Sequence, residues 1–169
     1  MKEKTQDKLQ LRFAGVADTP AILEFIRELA EYEKMSDQVT ATEEGLRETL
    51  FEKKQAEVII AEWEDVPVGF ALFFSNYSTF LGKAGIYLED LYVRPSMRGK
   101  GIGKKLLSRL AKTAVERGCG RLEWSCLDWN TPSIEFYKGL GAEPQEEWTG
   151  YRVTGTVLKG LAEETYILG

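Results

Sequence analysis

Among the residues whose types and spacing could do chemistry, the run Arg98-Gly99-Lys100-Gly101-Ile102-Gly103-Lys104 stands out. Glycines between a strand-like and a helix-like run let backbone approach a ligand without interference from Cβ, and the first helical turn aims unpaired N–H groups at it. Such a terminus binds anions, because the free donors and the helix dipole act together. Arg98 and Lys100 add positive charge. The chemistry predicted is the cradling of a phosphate. A Walker loop requires Gly-x-x-x-x-Gly-Lys-Ser/Thr, which is absent, and a dinucleotide fingerprint counted from Gly99 fails at Lys104. The pattern left is Arg-x-x-Gly-x-Gly. An unliganded glycine turn would leave the flanking cations unexplained.

The chain contains no histidine. That removes His-based acid–base catalysis, a Ser-His-Asp triad and most zinc sites, and no metal is expected. Proton transfer falls to Glu, Asp, Tyr, Lys, Cys or water. With 169 residues and a net charge of −5, the composition fits one globular domain over 1–169. No long Lys/Arg block points to nucleic acid, and no apolar run is long enough to cross a membrane. Cys119 and Cys126, without a signal-peptide pattern, suggest a reducing cytoplasm and no disulfide framework.

Several elements must position the glycine run. Residues 1–8 are polar and expected to be flexible. Leu9 to Ala14 reads as a strand. Asp18 reads as the N-cap of a helix with Pro20 in its first turn, running to about Lys34 with Ile22, Leu23, Phe25, Ile26, Leu29, Ala30 and Tyr32 as its apolar stripe. A second helix has Thr40 and Glu43 at capping-box spacing and Leu46, Leu50 and Phe51 facing inward. Glu57–Trp63 and Val68–Phe74 form a hairpin around Glu64–Pro67, and Ser75–Lys83 is a loop. Gly85–Val93 is a β-branched and aromatic strand that stops at Arg94-Pro95. After the glycines, Ile102, Leu106, Leu107, Leu110, Ala111, Ala114 and Val115 recur at helical spacing, ending at Gly118-Cys119-Gly120. Arg121–Cys126 is a strand. Thr131 caps a helix with Pro132 at its first position, closed by Gly141, and Glu147–Leu158 reads as a last strand. The order β-α-α-β-β-β-α-β-α-β predicts an α/β (α+β) fold: a mixed, mostly antiparallel sheet with helices on both faces.

That order, with Arg-x-x-Gly-x-Gly between strand and helix, resembles the GNAT acetyltransferases. Glu31-Tyr32-Glu33-Lys34-Met35, Tyr87-Leu88-Glu89-Asp90 and Asn130-Thr131-Pro132-Ser133-Ile134-Glu135-Phe136-Tyr137-Lys138 are similar to the spermidine/spermine and thialysine N-acetyltransferase branch. The resemblance implies a GNAT fold and an enzyme that moves an acetyl group from acetyl-CoA directly to a primary amine of a small molecule. It implies that Leu91, Tyr92 and Val93 pair with the pantetheine arm, that Arg98, Gly99, Lys100, Gly101, Ile102, Gly103 and Lys104 hold the diphosphate, and that Asn130, Thr131, Pro132 and Ser133 contact the rest of the cofactor. Tyr137 matches the family's general acid, against the plainer reading of a packed helix tyrosine.

Glu89 matches the carboxylate that binds a cationic amine and assists loss of its proton, against the reading of a solvated strand charge. In a regular strand Asp90 points to the other face, so the two should not share one role. Tyr32 and Glu33 match acceptor-binding positions. Glu123, Trp124 and Ser125 are placed at the acceptor side, although a strand tryptophan more often fills a core. Beyond Gly141, Glu146-Glu147-Trp148-Thr149-Gly150-Tyr151-Arg152 departs from the eukaryotic polyamine enzymes, so thialysine or another lysine-like amine is as good an expectation as a polyamine. The branch implies a homodimer, with Thr156–Leu168 packing on the neighbour. The competing readings are a non-catalytic acyl-CoA sensor and a protein-lysine acetyltransferase.

Overall fold

The computed structural model describes residues 8–163 and divides into two compact units, one ending at Ser125 and one beginning at Cys126. The first carries a five-stranded sheet in the order β1-β2-β3-β4-β5: β1 Leu9–Phe13, β2 Glu57–Trp63, β3 Val66–Ser78, β4 Lys83–Val93 and β5 Leu122–Trp124. The first four strands pair antiparallel and β5 runs parallel to β4. Helix α1 spans Thr19–Tyr32. A shorter helix α2, Glu43–Leu46, continues as a π-helical turn over Arg47–Glu52, and α3, the glycine helix, spans Ile102–Glu116.

Two layers of helix cover the sheet. Ile22, Phe25 and Leu29 of α1, with Leu50, pack on Val58, Ile60, Phe70, Leu72 and Tyr92. Strand alternation sends Ile59 and Phe73 to the opposite face, both fully buried. There α3, with buried Ile102, Leu106 and Leu110, packs across β2 to β5. Each side chain of this size withdrawn from water contributes about 1.5–3 kcal/mol, so these two apolar seams hold the strands in register. Ala111 and Val115 lie outside the α3 seam; both are exposed.

Local chemistry moves several of the expected boundaries. Asp18 occupies the N-cap position of α1, but its carboxylate accepts from the Arg12 guanidinium (2.7 and 2.8 Å) and the Gly15 N–H (2.8 Å). Thr42, rather than Thr40, caps the second helix, accepting from the Gly45 N–H at 3.1 Å. The β2–β3 hairpin turns tightly at Glu64 and Asp65, both at positive φ, and β3 and β4 run on through most of the expected 75–83 loop. Lys8, expected to be loose, pairs with Glu64 at 2.7 Å, and residues 1–7 lie outside the described residues.

One irregularity interrupts the ladder between β3 and β4. Phe73 pairs with Leu88, and Leu72 pairs with Asp90, so Glu89 has no partner of its own. This is a β-bulge: two residues of β4 oppose one of β3. Beyond it, Asp90 and Tyr92 share the α1 face with Leu72 and Phe70.

The second unit holds α4 Thr131–Gly139 and α5 Gly155–Glu163. Asn130, not Thr131, is the N-cap of α4; its side chain accepts from the Ser133 N–H at 3.4 Å, and Pro132 sits in the first turn. Gly141, at φ +90°, closes the helix. The strand expected over Glu147–Leu158 is absent: residues 147–154 form no strand, and Gly155 opens a helix instead. Val157, Leu158 and Leu161 recur at helical spacing, a period that outweighs the β-branched composition.

Candidate active site

The glycine run opens α3 as a bare helix terminus. Gly101 is the N-cap, in the left-handed region at φ +78°, and no side chain caps the helix. The Lys105 N–H reaches back to the Gly101 carbonyl at 3.1 Å, so the N–H groups of Ile102, Gly103 and Lys104 precede any intrahelical acceptor. Gly99 also has a left-handed φ, +80°. A Cβ built at Gly99, Gly101 or Gly103 meets nothing within 4 Å. The space these glycines leave is therefore open rather than filled by the protein, which is what a diphosphate lying on backbone N–H groups requires.

The two cations of the run are held by aromatic rings. The Lys100 ammonium lies 5.2 Å from the Trp63 ring centroid, and the Arg98 guanidinium carbon lies 5.0 Å from the Tyr32 centroid and 5.8 Å from that of Tyr92. Arg98 Nε also donates to the Val93 carbonyl at 3.1 Å. Lys104 is exposed in the first turn.

Strand β5 stops pairing at Leu88, opposite Trp124, while β4 continues to Val93. From Glu89 onward, the edge of β4 that faces β5 has no strand partner among the described residues. An extended ligand can add to such an edge as a further strand, and Leu91, Tyr92 and Val93 all lie on it. Opposite Tyr92 and Val93, Gly69 brings the other edge into close contact, since a Cβ there would meet the Tyr92 carbonyl oxygen at 2.6 Å.

The bulge gathers carboxylates. Asp90, expected to turn away from Glu89, is pushed up to about 7, first by burial and then by the negative charges of Glu89 and Glu33. Burial and the charge of Glu89 likewise hold Glu33 above the ordinary carboxylate range. Asp90 thus senses its chain neighbour Glu89 and, from the end of α1, Glu33. Glu33 caps that end, its N–H on the Leu29 carbonyl at 2.9 Å, and Lys34 turns the chain at φ +61°. Asp90 and Glu33, both held above the ordinary carboxylate range with Glu89 beside them, form a site that a cation relieves. Asp90 was not anticipated from sequence; only the pairing with β3 reveals it.

The positions in and just after β5, which is shorter than the strand expected over Arg121–Cys126, have protein partners. Glu123 accepts from Asn76 Nδ2 at 3.3 Å and Ser125 Oγ lies 2.6 Å from the Tyr87 hydroxyl, while Trp124 is half-buried beside Leu88. In the second unit, Asn130 is buried at the head of α4, Thr131 and Pro132 are exposed, Ser133 is half-buried in the first turn, and Tyr137 is half-buried with its ring 5.6 Å from that of Phe136. Among the described residues, no group of three or more His, Cys, Asp or Glu could hold a metal ion, and no helix is long and apolar enough to cross a membrane.

Comparisons with known proteins agree with this geometry. Residues 22–142 match the Acetyltransferase (GNAT) family. The thialysine N-epsilon-acetyltransferase of Bos taurus is 41% identical over 166 residues, covering 91% of this chain and 97% of the relative. The L-ornithine N5-acetyltransferase of Arabidopsis thaliana is 32% identical, covering 90% of this chain and 87% of the relative. Among solved structures, an integron cassette protein from the mobile metagenome of V. cholerae superposes with a TM-score of 0.78 at 29% identity, covering 93% of this chain and 99% of that one.

Proposed function

The chain belongs to the GNAT family of acetyltransferases, and from that premise we propose that it moves the acetyl group of acetyl-CoA to the primary amine of a small, lysine-like cation. The observation that carries this reading is the convergence of Glu33, Glu89 and Asp90 at the β4 bulge, beside the unpaired edge that leads to the glycine helix. The names of the relatives support the class of acceptor, thialysine and ornithine both being small cationic amino acids.

Acetyl-CoA, when bound, supplies an activated thioester. Toward it, backbone N–H groups from Gly99 to Lys104 hold the diphosphate, the β4 edge at Leu91–Val93 pairs with the pantetheine arm, and Asn130, Thr131, Pro132 and Ser133 contact the remainder. The carboxylates do the acceptor chemistry. An alkylammonium is protonated at neutral pH and must lose a proton before its nitrogen can attack. Glu89 orients the ammonium, and Asp90, titrating near neutrality, takes that proton on a carboxylate oxygen. Tyr137 holds a proton on Oη for the departing sulfur, the role of the matching family tyrosine.

Release of free CoA, measured with thialysine, ornithine, lysine, spermidine and a lysine-containing peptide, tests this reading. Turnover should be fastest with thialysine or ornithine. Tight acetyl-CoA binding with no turnover of any amine would instead establish a sensor, and a preference for the peptide would establish a protein-lysine enzyme. Tyr137→Phe should keep acetyl-CoA binding while turnover falls by roughly 10²–10⁴-fold. A homodimer working in the cytoplasm belongs to the same proposal. Val157, Leu158 and Leu161 are exposed apolar residues of the segment expected to pack on the neighbour, and its residues 164–168 lie outside the described residues. A monomeric mass at micromolar concentration would refute the dimer.

A further inference from the structure

We propose that Arg98 is a positioning residue for the acceptor, linking the glycine loop to the end of helix α1 through the rings of Tyr32 and Tyr92; this rests on the acetyl-transfer reading above. The Arg-x-x-Gly-x-Gly pattern makes Arg98 a phosphate ligand by expectation. Its side chain goes elsewhere. A single 3₁₀ turn, Pro95–Met97, delivers Arg98 in extended conformation, and its Nε donates to the carbonyl of Val93, the last residue of β4. That bond turns the guanidinium back along the strand, where it lies over Tyr92 of the sheet and Tyr32 of α1. A planar guanidinium stacks on aromatic faces as an ammonium cannot.

The two rings belong to different parts of the site. Tyr92 is buried, packs against Phe25 of the core at 6.2 Å and lies on the edge assigned to the cofactor. Tyr32 is 39% exposed, ends α1, and immediately precedes Glu33, one of the three acceptor carboxylates. Anything that restrains the loop bearing Arg98 therefore restrains Tyr32, and with it Glu33. Cofactor binding restrains that loop. Affinity for the amine should consequently rise when the cofactor site is filled, and by linkage the reverse holds by the same factor.

Calorimetric titration of thialysine into the protein alone and into protein saturated with CoA, which cannot react, measures the coupling without turnover. In the wild type, CoA should tighten thialysine binding about fivefold, the scale of cation–π contacts at partly exposed rings. Tyr32→Leu should bring the ratio close to one, as should Arg98→Met, whereas Tyr32→Phe, which keeps the ring, should retain it. Both positions are at the surface, and a purely structural role would lower thermal stability while leaving the ratio unchanged. An unchanged ratio in Tyr32→Leu, or a wild-type ratio of one in a protein that acetylates thialysine, overturns this inference alone. A wild type that neither binds nor acetylates thialysine overturns the acetyl-transfer reading and this inference with it.

Discussion

In the proposed mechanism the glycine loop and the carboxylate cluster serve the two reactants by opposite means. The loop works by subtraction: side chains are omitted at 99, 101 and 103, the open space is left to a ligand, and the donors are backbone. The cluster works by addition, setting Glu89 beside Glu33 and Asp90, whose proton affinities burial and neighbouring negative charge raise. A backbone site is indifferent to pH and tolerant of sequence around it. A side-chain site of like charges is set by pH and sits in the structure at a cost, since burial and repulsion both oppose ionisation.

Variants should separate the two. Of these the largest effect is expected at Glu89: Glu89→Gln removes the charge but keeps the shape, and kcat/KM for the amine should fall by roughly 10²–10³-fold, with the acid limb of the rate profile moved to lower pH because the charge that raises Asp90 is gone. Acetyl-CoA affinity, measured by calorimetry, should not change; a parallel loss would mean the two sites are one. Next is Gly103→Val. Its Cβ meets no protein atom and its φ is not positive, so the fold should persist. The side chain occupies the cradle, and the Kd for acetyl-CoA should rise roughly 30-fold, about 2 kcal/mol. Unaltered binding in the folded variant would end the cradle assignment.

Asp90→Asn reads the cost of crowding directly. A carboxyl whose pKa is raised from 3.8 to about 7 on folding binds more protons in the native than in the unfolded state between those values. The wild type should therefore lose stability as pH climbs from 4 to 7, and the neutral asparagine should not. Melting curves should show the variant ~4 °C more stable than wild type at pH 8 and equal to it near pH 4; a pH-independent difference would mean that Asp90 is not desolvated. The smallest effect belongs to Trp63→Leu. Removing the ring under Lys100 should weaken acetyl-CoA only about two- to fivefold, the worth of a partly exposed cation–π contact.

These regions also differ in how far the sequence disclosed them. The loop is local: a strand, a glycine run and an amphipathic helix follow in unbroken order, so Gly99, Gly101 and Gly103 identify themselves, and the α1 stripe from Ile22 to Leu29 does the same for the core. The cluster is not local. Glu33 and Glu89 could be picked out only by family likeness, and the coupling of Asp90 to them is not legible because period-2 alternation carries no mark of a bulge. The bulge is decided by which residue of β3 lies opposite, a property of two strands rather than one. Caps went astray for a smaller reason. Thr40 and Thr42, or Asn130 and Thr131, offer nearly equivalent oxygens, and the chain path selects between them. After Gly141, β-branched residues suggested a strand where the spacing of Val157, Leu158 and Leu161 makes a helix.

The bulge has a consequence best put in terms of insertion and deletion. Phe73 pairs with Leu88 and Leu72 with Asp90, so taking Glu89 out of the chain would leave an unbroken ladder with every other residue facing as it does now. Asp90 would still oppose Leu72 and Tyr92 would still oppose Phe70. In that sense Glu89 is a one-residue insertion that a regular hairpin could lose without rearrangement. The sheet would heal, shed one carboxylate from a crowded corner and gain regular pairing, while the amine of the proposed mechanism would lose the group that orients it. On that reading a more regular sheet and a worse enzyme are separated by a single codon.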